Sequence, residues 1–111
     1  MLSQKHRLSK SAEVKKTTAR GRSFFNPYFV LKLASGKDIP RFTVIVSTKV
    51  SKKAVDRNRI KRVIREELRK HLASAKIGDY AILVKSSAVK IASKDLRAAV
   101  TQSLADSKII K

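Results

Sequence analysis

The chain has 111 residues, 42% of them hydrophobic, and no cysteine, so residues 1–111 read as one domain whose core needs neither disulfides nor a cysteine-based zinc site. Lys and Arg number 27 against 8 acids, a net charge of +19. A surplus of that size repels itself in a compact chain and calls for a polyanion, with nucleic acid first because each phosphate contact releases a condensed counterion. No stretch approaches the roughly 18 apolar residues of a membrane span, and Lys5, Arg7 and Lys10 stand at the start without an apolar signal core. The expected location is cytoplasmic, with no membrane partner.

In chain order, Ser9 or Ser11 can cap a short first helix that Gly21 ends. Its few apolar residues, Leu8, Ala12, Val14 and Ala19, lie beside Lys15, Lys16, Arg20 and Arg22. Phe24-Phe25-Asn26 can add a short strand before Pro27. A strand over residues 28–33 alternates, with Phe29, Leu31 and Leu33 on one face and Tyr28, Val30 and Lys32 on the other. Ser35-Gly36-Lys37-Asp38 reads as a hairpin turn, and residues 41–48 as the returning strand.

The central helix is predicted over residues 52–75, with Ile60, Val63, Ile64, Leu68 and Leu72 as its core stripe. A strand over residues 79–85 is apolar on both faces and so expected to be well buried. Ser93 can cap a last helix with Leu96, Ala99, Val100 and Leu104 inward. The order of elements gives an α/β (α+β) two-layer sandwich, one sheet with helices against it.

The segment richest in chemistry is residues 49–70. Lys49, Lys52, Lys53, Arg57, Arg59, Lys61, Arg62, Arg65, Arg69 and Lys70 are opposed there only by Asp56, Glu66 and Glu67. Asn58, Arg62, Arg65 and Arg69 recur at three- and four-residue offsets and line one helix face, with Arg57 and Lys61 beside them. The planar guanidinium fork suits phosphate, and the Asn58 amide suits a ribose hydroxyl or a base edge. These side chains are expected to be exposed.

No protein active site is visible. His6 and His71 are isolated, and Gly21, Gly36 and Gly78 form no phosphate-cradling loop. Glu66 and Glu67 are expected to pair with Lys or Arg a helical turn away rather than hold a metal.

Val46-Ser47-Thr48-Lys49, then Ala54, then the run from Arg57-Asn58-Arg59 through Ile60-Lys61-Arg62 to Arg65-Glu66, resembles the signature of the bacterial ribonuclease P protein. Leu8 and Lys10, Pro40-Arg41-Phe42 and Gly78-Asp79-Tyr80 extend the likeness over most of the chain. The resemblance implies the αβββαβα order of a ribosomal protein S5 domain 2-like fold. It also implies a left-handed βαβ crossover, against the strong general preference for right-handed connections.

By the same resemblance, Arg57, Asn58, Arg59, Lys61, Arg62, Arg65 and Arg69 contact a catalytic RNA, one protein per RNA. A cleft between the first helix and the sheet holds the 5′ leader of precursor tRNA. Catalysis belongs to the RNA, which holds Mg2+ in the main. At the cleft the chain departs from the family: Val14, Thr18 and Lys32 stand where relatives carry aromatics. Tyr28, with Lys32, Lys49 and Lys52, is the expected substitute surface. The competing reading is a structural RNA-packing protein, such as a ribosomal protein.

Overall fold

Asn26 bends the chain sharply before the first long strand. Its Oδ1 accepts the backbone N–H groups of Tyr28 and Phe29 at 2.8 and 2.9 Å, and its own N–H donates to the Phe29 carbonyl at 3.1 Å. Pro27 occupies the turn position that needs no donor. A computed structural model describes residues 22–34, 36 and 39–109; the predicted helix over residues 9–21, with Val14 and Thr18, lies outside them.

The described elements are β1 (Arg22–Phe25), β2 (Phe29–Ala34), β3 (Arg41–Ile45), α1 (Ala54–Lys70), β4 (Asp79–Val84) and α2 (Ser93–Asp106). Single 3-10 turns at Leu72–Ser74 and Ser86–Ala88 follow α1 and β4. The strands form one sheet in the order β1-β2-β4-β3. β2 is antiparallel to both β1 and β4, while β3 runs parallel to β4. α1 is therefore the crossover between two parallel neighbours.

This order corrects the expected hairpin. β2 and β3 are not partners, because β4 lies between them. The reason is burial: β4 is apolar on both faces, and Tyr80, Ala81, Ile82 and Val84 are all buried there. A strand of that kind belongs at the centre of the sheet. The return strand also stops at Ile45 rather than at residue 48.

The register puts Leu31, Ile82 and Val44 in one row and Leu33, Tyr80 and Phe42 in the next. Phe42 and Tyr80 stack with centroids 5.0 Å apart, and the Tyr80 hydroxyl donates to the Lys76 carbonyl at 2.6 Å. Onto this face pack Ile60, Val63, Ile64 and Leu68 of α1 and Leu96, Val100 and Leu104 of α2, all buried. The apolar stripe expected on α1 is present, but the helix ends at Lys70, and Leu72 belongs to the 3-10 turn.

Ser51 organises the start of α1. Its Oγ donates to Asp56 at 3.0 Å and accepts the Lys53 N–H, and its carbonyl accepts Arg57 Nη1 at 2.7 Å. Ser93 does not cap α2. Ala92 is the cap residue, and the Ser93 hydroxyl accepts from Arg59 Nη1 instead.

One buried carboxylate ties the helices together. Glu67, 8% exposed, accepts the Thr101 hydroxyl of α2 at 2.6 Å and lies 3.2 Å from His71 Nε2 and 3.4 Å from Lys70 Nζ. Thr101 has a single proton and gives it to Glu67, so His71 Nε2 must carry its own to donate into the cluster. Burial pushes the Glu67 carboxyl up, but the hydrogen bonds from Thr101, His71 and Lys70 outweigh it and hold the group below 4.5. A carboxyl lowered on folding stabilises fully above its unfolded pKa and loses that contribution as pH falls through the lower folded value. The stability gap between wild type and Glu67→Gln is therefore expected to narrow once pH drops below 4.5. Thermal unfolding followed at a series of acidic pH values checks this; a gap independent of pH contradicts it.

Candidate nucleic-acid interface

α1 is pinned on its inner side, so its outer side is presented rigidly. Asn58, Arg62 and Arg69 are exposed along that side, and Arg65 between them is half-buried. Arg62 keeps 64% of its side chain in solvent, with Glu66 Oε1 3.8 Å from its Nε. Glu66 is drawn the other way by Arg97 Nη2 of α2 at 2.9 Å. The acid thus sits between two arginines and leaves the outer guanidinium open to a second anion.

Two arginines of the motif are used differently from expectation. Arg59 is half-buried and points along the fold, donating to the Val89 carbonyl at 2.9 Å and to Ser93 Oγ at 3.2 Å. It clasps α1 to the beginning of α2. Arg57 turns back onto the Ser51 carbonyl and is also half-buried. Arg57 thereby orders the loop that displays Lys49 and Lys52, both exposed. Lys61 is half-buried.

The Arg59 clasp brings in charge that sequence spacing could not reveal. It sets the first turn of α2, with exposed Lys90 and Lys94 on either side of Ser93, against the arginine helix. Exposed Val55, at 71%, adds an apolar spot at the start of the row. Only its place three residues before Asn58 hinted at this.

The expected leader surface is not gathered in one place. Lys32 pairs in register with Ser23 and Ala81 and points to the sheet face away from α1 and α2. Tyr28 does not share that face. It belongs to the Asn26 turn, packs against the core cluster, and lines one hollow with Ala99 and Gln102 of α2. Lys49 and Lys52 stand on the loop after β3, which is separated from β2 by β4.

Glu66, Glu67 and Asp56 are occupied by Arg97, by Thr101 and His71, and by Ser51. Among the described residues no cluster of His, Asp and Glu is placed to hold a metal ion, and no helix is long and apolar enough to cross a membrane.

The family model for ribonuclease P matches residues 2–108. The chain belongs to the ribonuclease P protein family. The ribonuclease P protein component of Xanthomonas campestris is 41% identical over 87 residues, which are 78% of this chain and 57% of that protein. The Clostridium kluyveri component is 45% identical over 65 residues, 58% of this chain and 57% of that protein. The chain thus spans a little over half the length of these relatives. The ribonuclease P protein of Staphylococcus aureus superposes with a TM-score of 0.90 at 26% identity, covering 96% of this chain and 98% of that one. That of Thermotoga maritima shares the fold, with a TM-score of 0.78 over 86% of this chain and 94% of that one at 24% identity.

Proposed function

We propose that the chain is the protein subunit of a ribonuclease P holoenzyme, in which a catalytic RNA removes the 5′ leader of precursor tRNA. The observation that carries the proposal is the exposed row of Asn58, Arg62 and Arg69 on a helix whose other side is locked to the core. A rigid row of guanidinium forks grips a folded polyanion with little loss of side-chain freedom. The protein's share is positional and electrostatic. It screens repulsion between the two RNAs and raises the local concentration of substrate.

One protein per catalytic RNA, in the cytoplasm, completes the reading. The β3-α1-β4 crossover takes the left-handed sense that the family resemblance implies, in the αβββαβα order of the S5 domain 2-like fold. Mg2+ is held mainly by the RNA, where it organises the fold and activates water. Glu66, Glu67 and Asp56, the acids of the arginine helix, are already engaged by arginine, threonine, histidine and serine.

Reconstitution tests the proposal. The chain is mixed with a bacterial catalytic RNA and a precursor tRNA at low magnesium, and leader release is followed. Faster cleavage than by the RNA alone is expected, with no cleavage by the protein alone. An RNA that the chain does not accelerate, or copurification with ribosomal RNA only, moves the chain to the RNA-packing class.

A further inference from the structure

The two helices run side by side in the same direction, and their contacts climb together. Arg59 of α1 meets Ser93 of α2, Glu66 meets Arg97, and Glu67 meets Thr101. The apolar stripes of both helices face the sheet, so the seam between them opens on the other side, toward solvent.

Helical pitch says what lines this seam. Seven residues make nearly two turns, so residues seven apart share a line. On α1, Arg59 and Glu66 share the line that touches α2, and exposed Arg62 and Arg69 share the next line outward. On α2, Lys94 shares a line with Thr101, whose hydroxyl reaches across to Glu67. Lys94 is exposed, so it stands on the rim of α2 that faces α1. Lys90, also exposed, follows the Val89 carbonyl that Arg59 Nη2 holds at 2.9 Å. Asp95, the exposed acid of the same turn, lies about 100° further round, away from α1.

The seam thus has cations on both rims, Arg62 and Arg69 on one and Lys90 and Lys94 on the other. Half-buried Arg97 is in its floor. Its Nη2 is 2.9 Å from Glu66, while its buried Nε has no partner among the described residues. Glu66 is the acid of the floor that stays partly open, since Glu67 is buried beneath Thr101 and His71.

This arrangement selects a linear polyanion. Two facing rows of like charge repel each other, and one small anion would neutralise a single position along them. A sugar-phosphate backbone laid between the rows offers both rims a charge at every nucleotide. Folded RNA is recognised in this way, through its shape and its phosphates. We infer that an RNA backbone lies in the seam between α1 and α2. Lys90, Lys94 and Arg97, at the beginning of the last helix, are then RNA ligands together with Arg62 and Arg69. Arg59 is the positioning residue that fixes the distance between the two rims. The inference rests on the proposed function only for the partner's being the catalytic RNA.

The test compares two variants of the full chain with the same change in charge, by their affinity for a bacterial catalytic RNA across a salt series. Lys90→Gln/Lys94→Gln, on the seam, is expected to bind about ten-fold more weakly at moderate salt and to lower the slope of log affinity against log salt by about 2. Lys76→Gln/Lys108→Gln is equally exposed but lies beside β1, with Lys108 about 20 Å along α2 from Lys94. That is beyond the screening length, so its affinity is expected to stay within about two-fold of wild type. Glu66→Gln is expected to bind about three-fold more tightly, because it removes the acid beneath the phosphates. Arg59→Lys keeps the charge but not the forked clasp. It is expected to weaken binding in the otherwise native chain and to cost almost nothing more in Lys90→Gln/Lys94→Gln.

Equal losses from the two lysine pairs would show that only bulk charge counts and would overturn the inference. So would the absence of any gain in Glu66→Gln, or a dependence on Lys90 and Lys94 seen with polyglutamate but not with RNA. Full additivity of Arg59→Lys with the seam pair removes Arg59 from its positioning role. Catalytic RNA bound with the expected ranking but not accelerated counts against the proposed function and leaves the seam standing. If ribosomal RNA alone is bound, the same ranking is read on that RNA.

Discussion

Arg62→Ala/Arg69→Ala is expected to weaken binding to the catalytic RNA on the order of 10- to 100-fold at moderate salt, with the fold untouched. Charge-assisted hydrogen bonds of this kind contribute about 1.5–3 kcal/mol each before screening by salt. Both side chains are exposed, and among the described residues Arg62 meets only Glu66, at 3.8 Å. Every phosphate that the variant no longer neutralises should also reduce the slope of log affinity against log salt by about 1. Affinity measured across a salt series, with circular dichroism as the control, decides the matter. An unaltered slope would mean that the row does not touch phosphate.

Arg59→Ala supplies the contrast. Its guanidinium is committed to Val89 and Ser93. Removing it should lower stability by about 1–2 kcal/mol, a fall of several degrees in Tm, because it frees the start of α2. Three adjacent motif residues thus divide their work. Asn58 faces outward, Arg57 orders the loop, and Arg59 joins the helices.

That division shows where spacing stops being informative. The stripe of Ile60, Val63, Ile64 and Leu68 was legible because a helix of known pitch leaves one solution for its buried side. Glu67 lies in the same buried arc and broke the pattern. Its burial depends on Thr101, a partner 34 residues away that no local rule supplies. Arg59 is hidden for the same reason. Periodicity tells which way a side chain leaves the helix, not which element waits there.

The sheet was legible strand by strand and misread in its pairing. β1 to β4 each fall close to an expected strand, and the two apolar faces of β4 announced a central position. The hairpin expectation came from the turn-like residues 35–38, a local signal. It lost to the burial of β4, which is non-local. Tyr28 was misassigned by a single residue. Alternation extended back from Phe29 ignored that Asn26 and Pro27 start a turn, and the error moved a candidate RNA contact to the other side of the sheet.

Gly36 has a role that turn statistics do not describe, and its replacement is expected to produce a large loss of stability. A Cβ placed there would lie 2.6 Å from Gly78 Cα and within 2.9 Å of the Gly78 nitrogen and carbonyl carbon. These are backbone atoms and cannot rotate aside. Gly78 is itself confined, since a Cβ on it would meet the Tyr80 hydroxyl at 2.7 Å and the Ala34 carbonyl at 3.2 Å. The two glycines let the chain after β2 cross the chain before β4 at backbone contact. The Gly78 carbonyl is held there by the Arg41 N–H at 3.0 Å, where Arg41 and Asp79 form a two-bonded ion pair. Gly36→Ala should therefore destabilise by about 1–3 kcal/mol, a fall in Tm on the order of 5–15 °C, through forced separation of the end of β2 from β4. Gly78→Ala should lose less, since Tyr80 can shift at the expense of its hydrogen bond to Lys76. Thermal unfolding of both variants tests the ranking, and a Gly36→Ala protein as stable as wild type would show that the two segments do not cross at this distance.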